Sequence, residues 1–78
     1  MPHALVLYGK SDCHLCHAAR DLLVSLQREF TFTFAEVDIT RDASLLDKYR
    51  YDIPVIVIDG QLELSAPITE HELRAALQ

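Results

Sequence analysis

Ala4-Leu5-Val6-Leu7-Tyr8-Gly9-Lys10-Ser11-Asp12-Cys13-His14-Leu15-Cys16 is the stretch on which the fold turns. Ala4 to Tyr8 is an apolar run stopped by Gly9, and it reads as a buried strand. Both cysteines follow, three residues apart, where that strand gives way to a helix. From Leu15 onward, Leu15, Ala18, Ala19, Leu22, Leu23 and Leu26 recur at helical spacing and form one apolar stripe over about three turns, leaving Arg20, Asp21, Gln27 and Arg28 outside it. A thiol at such a helix start is acidified, because the unpaired N–H groups and the positive end of the helix dipole favour the thiolate. The thiolate is the form that attacks disulfides and binds metals.

Further along, Phe30 to Ile39 alternates but slips in phase. Phe30, Phe32 and Phe34 share one parity, while Val37 and Ile39 take the other. A strand with a bulge, or a loop leading into a strand, accounts for that. Thr40 is read as the cap of a short helix over Arg41 to Arg50 that buries Leu45, Leu46 and Tyr49. Pro54 opens the β-branched run Val55-Ile56-Val57-Ile58, a central strand. Asp59-Gly60 signals a hairpin into the alternating Gln61-Leu62-Glu63-Leu64. Thr69-Glu70-His71-Glu72 is a capping box for a last helix ending near Leu77. The order is β-α-β-α-β-β-α, an α/β fold. Its first two strands must run parallel through a right-handed crossover, and its last two antiparallel. A mixed four-stranded sheet flanked by helices is the expected result.

At 78 residues the chain is expected to form a single domain over 1–78. Half of its residues are apolar, which suits a core and argues against disorder. The net charge of −5 repels phosphate backbones and anionic lipid, so no nucleic-acid or membrane partner is expected. Met1-Pro2-His3 shows no basic leader, and a cytoplasmic location is the expectation. In that compartment a structural disulfide is not expected, and a Cys13–Cys16 bridge closes too short a loop to be a strong staple.

The whole pattern resembles the thioredoxin fold, and in detail a glutaredoxin-like protein. Tyr8-Gly9-Lys10-x-x-Cys13-x-x-Cys16 resembles the glutaredoxin strand end, with a lysine three residues before the first cysteine. Tyr51-Asp52-Ile53-Pro54-Val55 resembles the segment that carries a cis proline, and Val57-Ile58-Asp59-Gly60 the turn into the last strand. Three departures stand beside these matches. His14-Leu15 replaces the usual Pro-Tyr between the cysteines, and Asp52-Ile53 replaces Thr-Val before the proline. Glu63-Leu64-Ser65-Ala66-Pro67 stands where a Gly-Gly and an acidic pair hold the glutathione amino end.

The resemblance implies a thiol-disulfide oxidoreductase. Cys13, at the helix start and the more exposed of the two, is the expected nucleophile. Cys16, one turn in and on the same side, is the expected resolving thiol. Lys10 would bring positive charge to Cys13 and meet a glutathione carboxylate, with Asp12 opposing it. Pro54 is expected in cis, facing the cysteines. The Ile53 backbone would then offer its N–H and C=O to an extended substrate, and Tyr8 would either wall the site or pack in the core. No resident cofactor is expected, glutathione being a candidate co-substrate. The expected partner is a disulfide-bearing protein or a glutathione mixed disulfide, and the expected state is a monomer.

Two other readings stay open. Cys13, Cys16 and His17 fall on one helical turn and offer three ligands to a metal or an iron–sulfur cluster. A thioredoxin-like domain used only for protein contact is the other. The run C-x-x-C-H also fits haem attachment, but the only methionine is Met1 and the β-rich order is wrong for a small cytochrome c.

Overall fold

β1, His3–Gly9, is the strand around which the sheet is built. The computed structural model describes residues 2–78, so Met1 lies outside the described residues. α1 (His14–Leu26) follows β1 and returns the chain to β2 (Phe32–Asp38), which pairs parallel with β1 from His3↔Phe32 to Gly9↔Asp38. A 3-10 turn over Ile39–Arg41 leads into α2 (Ala43–Tyr49). β3 (Val55–Ile58) and β4 (Leu62–Ser65) form an antiparallel hairpin, and α3 (Glu70–Leu77) closes the described chain. The sheet order is β2-β1-β3-β4, with β1 antiparallel to β3. The mixed four-stranded sheet and the inner position of Val55–Ile58 agree with the sequence reading.

Strand parity sorts the apolar residues into two clusters, one on each face. Leu5, Leu7, Phe32, Ile56 and Ile58 meet Ala19, Leu23 and Leu26 of α1 and Leu73 and Leu77 of α3. On the opposite face Tyr8, Val55 and Val57 meet Ile39, Leu45, Leu46 and Tyr49 around α2. Burying each of the large side chains contributes about 1.5–3 kcal/mol. The helices are therefore held to the sheet mainly by these two layers.

This two-sided burial explains the phase slip. The β1–β2 register is continuous and has no bulge; Phe30 and Thr31 form the loop before the strand. Phe32 and Phe34 face the α1 layer, and Ile39, just past the strand, belongs to the α2 layer.

Two local expectations are corrected. The buried stripe of α1 is Cys16, Ala19, Leu23 and Leu26, one residue round from the predicted one, and Leu15 is 60% exposed. Thr40 caps nothing. Asp38 accepts from the Thr40 N–H at 2.9 Å, and Asp42 caps α2 by accepting from the Ser44 and Leu45 N–H groups. A carboxylate outcompetes a hydroxyl for orphan N–H donors, so the helix starts later than Arg41 and ends at Tyr49. Cys13 and Cys16 are joined as a disulfide, the pair on which the C-x-x-C redox reading rests.

The hairpin and last cap match the sequence. Asp59 and Gly60 both have positive φ, 55° and 68°, the Gln61 N–H donates to the Ile58 carbonyl at 3.1 Å, and the pairing of Ile58 with Leu62 leaves Gln61 as a third loop residue. The Thr69 side chain accepts from the Glu72 N–H at 3.1 Å, and Glu72 accepts from the Thr69 N–H at 3.1 Å. No helix among the described residues is long and apolar enough to cross a membrane.

Candidate functional site

The end of β1 and the start of α1 build the site. Lys10 to Cys13 form a tight turn, closed by the Cys13 N–H donating to the Lys10 carbonyl at 3.3 Å. Cys13 is the N-cap of α1, with extended backbone angles (φ −109°, ψ 108°). Its Sγ accepts from the Cys16 N–H at 3.2 Å, the bond that a capping serine oxygen would accept. The His17 N–H donates to the Cys13 carbonyl at 3.2 Å. No acidic residue lies in the first turn of α1, so within the helix nothing opposes negative charge on Cys13.

Cys13 is half-buried, whereas Cys16 is 5% exposed. Their Cα atoms are 5.2 Å apart and their sulfurs are bonded. Behind Cys16 stands Gly9. A Cβ at Gly9 would lie 2.8 Å from Cys16 Sγ and 3.0 Å from Cys16 Cβ, so only glycine lets the strand end approach the sulfur this closely. In the sequence Gly9 reads only as a strand terminator and gives no sign of this contact.

Lys10 Nζ lies 3.8 Å from Asp12 Oδ1, so the cation and the opposing carboxylate partly neutralise each other. Lys10 also lines a cleft of about 370 Å³ with Ile39, Leu46, Arg50 and Tyr51, and the Tyr51 ring is open to solvent. The register pair Tyr8↔Val55 brings Pro54, the residue before Val55, to the same end of the sheet as Gly9. The Ile53–Pro54 bond is cis, and so is Ala66–Pro67, which the sequence reading did not anticipate. Pro54 is buried and lines a groove of about 180 Å³ with Leu15, Leu22, Ala66, Pro67 and Ile68. Ile53 is half-buried in the α2-side cluster.

Tyr8 also faces that cluster, its ring 4.8 Å from that of Tyr49. It lines none of these clefts. Tyr49 donates from its hydroxyl to Glu63 Oε1 at 2.8 Å, and burial followed by that carboxylate pushes its phenol above the ordinary value. Among the described residues, no group of three or more His, Cys, Asp or Glu side chains is placed to hold a metal ion.

Among known proteins, the model of the glutaredoxin-like domain (DUF836) fits residues 4–78. This chain belongs to the glutaredoxin-like domain family. Among solved structures it resembles protein XcR50 from X. campestris, with 38% identity, 91% of each chain covered and a TM-score of 0.75. It also resembles protein Ne2328 from Nitrosomonas europaea, with 28% identity, 100% of this chain and 94% of the other covered, and a TM-score of 0.85. A mutant thioredoxin from Halobacterium salinarum shares the fold at 19% identity, with 96% of this chain and 71% of the other covered and a TM-score of 0.76. The glutaredoxin-like domain thus carries a paired C-x-x-C at the first helix start of a thioredoxin-like fold, an arrangement that supports redox-type function.

Proposed function

We propose that the protein is a thiol-disulfide oxidoreductase in which Cys13 attacks and Cys16 resolves. The observation that carries the reading is the Cys13 sulfur at the N-cap of α1, accepting a backbone N–H while bonded to a buried partner sulfur. A hydrogen bond from the backbone and the helix dipole both favour the thiolate over the thiol. In the reduced protein the Cys13 thiolate attacks one sulfur of a substrate disulfide. A Cys13–substrate bond forms, the substrate S–S bond breaks, and one substrate thiolate leaves. The Cys16 thiol then loses its proton and attacks Cys13 Sγ. This forms the Cys13–Cys16 bond and releases the second substrate sulfur as a thiolate. The substrate gains two electrons and the protein loses two. An external dithiol or two molecules of a monothiol such as glutathione return them.

A disulfide within a polypeptide is the favoured substrate class. The groove beside Pro54 is lined by Leu15, Ala18, Ala19, Leu22, Ala66, Pro67 and Ile68, and none of these is charged. Glutathione carries charge at both ends and finds no partner among them, while an apolar side chain flanking a protein disulfide does. Ile53 and Pro54 would meet the substrate chain, and Lys10 an acidic group on it. The reading carries with it a cytoplasmic setting, whose reductants would restore the dithiol.

The test compares the unmodified protein with Cys13→Ser and Cys16→Ser, using insulin disulfides and a glutathione mixed disulfide as substrates. The unmodified protein is expected to reduce insulin, and each variant to lose that activity. Cys16→Ser is expected to accumulate a mixed disulfide on Cys13. Failure of the unmodified, reduced protein to act on either substrate would end the reading.

A further inference from the structure

In the dithiol reaction proposed above, the Cys16 thiol must lose a proton before its sulfur can attack, and Cys16 is 5% exposed. Its way out is a cleft of about 290 Å³ on the β2 side of α1, opened by Gly9 and lined by Cys16, His17 and Arg20 from α1 and Glu36 and Asp38 from β2. The parallel register explains the arrangement. Glu36 and Asp38 pair with Leu7 and Gly9, so their side chains share the sheet face that α1 covers. Lys10 enters from the turn.

The charged and titratable residues lining this space are Lys10, His17, Arg20, Glu36 and Asp38, with Cys16 itself. Lys10 and Arg20, as cations, have no lone pair to offer. Asp38 Oδ1 accepts from the Thr40 hydroxyl at 2.6 Å and from its N–H at 2.9 Å, bonds that hold the carboxyl below the ordinary range and make it a poor base. A carboxylate is a weaker base toward a thiol than an imidazole is. An imidazole is the side chain whose ordinary proton uptake falls near neutrality, and a base matched to the working pH transfers protons best. His17, the histidine of the C-x-x-C-H run, lines the same cleft as Cys16.

We propose that His17 is the proton acceptor for Cys16 in the resolving step, with the β2-side cleft as the path between them. The Cys16 proton passes to the neutral imidazole, directly or through cleft water. The sulfur electron pair forms the bond to Cys13 Sγ, and the bond from Cys13 to the substrate breaks. The departing substrate sulfur leaves as a thiolate and takes its proton from solvent. The imidazolium returns its proton to water at the mouth of the cleft, where His17 is exposed.

The experiment preloads Cys13 with a mixed disulfide and follows single-turnover release of the substrate thiol against pH, in the unmodified protein, His17→Ala, His17→Gln and Glu36→Gln. Both His17 variants are expected to release on the order of tenfold more slowly at neutral pH, a modest effect for a base because the cleft is open to water. The difference is expected to narrow as the pH is made alkaline, where hydroxide takes the thiol proton without a side-chain base. Added imidazole is expected to restore His17→Ala, which a merely structural role would not allow. Glu36→Gln is expected to keep the profile of the unmodified protein. Unchanged rate and profile in the His17 variants would overturn the proposal, as would a loss equal at every pH that imidazole does not relieve. A profile altered only by Glu36→Gln would overturn it too. In each of these cases the dithiol reading stands, because the unmodified protein still releases substrate. If the unmodified protein releases none, both fall.

Discussion

Gly9 shows how narrow the tolerances are at the scale of one residue. A methyl group there would overlap Cys16 Sγ at 2.8 Å, and because Gly9 is bound into the sheet the sulfur has to move. Gly9→Ala is expected to cost about 1–3 kcal/mol, the usual range for overpacking, read as a lower denaturation midpoint at unchanged slope. It is also expected to make Cys16 more reactive to alkylating reagents, since displacement opens its cover. Tyr49 offers a second residue-scale test. Tyr49→Phe keeps the ring that packs on Tyr8 and removes the hydroxyl that donates to Glu63. A loss of about 1 kcal/mol is expected, the ordinary worth of one such bond. Gly9 was legible only as punctuation, because its importance lies in a contact between strand end and helix that no local pattern carries. The role of Cys13 was more legible, since a cap position follows from the junction of two periodic segments.

Capping governs the elements. Thr69 satisfies an orphan N–H of α3, and the Glu72 side chain accepts in turn from the Thr69 N–H. Thr69→Ala is therefore expected to destabilise the protein by about 1 kcal/mol, seen as a lower thermal midpoint. At α2 the cap is Asp42, whose carboxyl is held below the ordinary range first by the Ser44 hydroxyl and then by the backbone N–H groups of Leu45 and Ser44. Asparagine caps equally well without a titrating charge. Asp42→Asn is thus expected to leave neutral-pH stability nearly unchanged and to flatten its decline in acid. The capping box was readable because its residues sit at fixed offsets. The α2 start was misread because Thr40 and Asp42 are both acceptable caps by type. The buried face of α1 was displaced by one residue because alanines and leucines occupy more positions than the core can take. Which of them are covered depends on where β1 and α3 press, and Leu15 instead borders the groove at Pro54.

The order β2-β1-β3-β4 lay beyond the sequence pattern, but for the molecule as a whole the parallel first pair, the inner β-branched strand and the antiparallel last pair followed from three local facts: a helix between two strands, a proline at the start of a β-branched run, and an Asp-Gly turn. Division of the core between two faces did not, because parity alone does not say that both faces are covered. The pH dependence of stability is also a property of the whole. Asp38, Asp42 and Asp59 all have lowered folded-state values, caused chiefly by the Thr40 hydroxyl, the Ser44 hydroxyl and the Ala4 N–H, respectively. Their contribution is present above the ordinary aspartate value of about 3.9 and is lost as pH falls through the lowered ones. Tyr49 is raised, so its contribution is present below about pH 10 and is lost as pH rises through the raised value. Denaturant midpoints across pH are expected to form a plateau between these limits, and Tyr49→Phe is expected to remove part of the alkaline fall. The architecture sets one sulfur at the mouth of a helix and shelters a second behind it. The most direct test of that division of labour is the alkylation rate of each cysteine in the reduced protein as a function of pH, resolved by peptide mass. Cys13 is expected to react first, with an inflection below the free-thiol value of about 8.5. Cys16 reacting first, or Cys13 showing an inflection at or above that value, would contradict it.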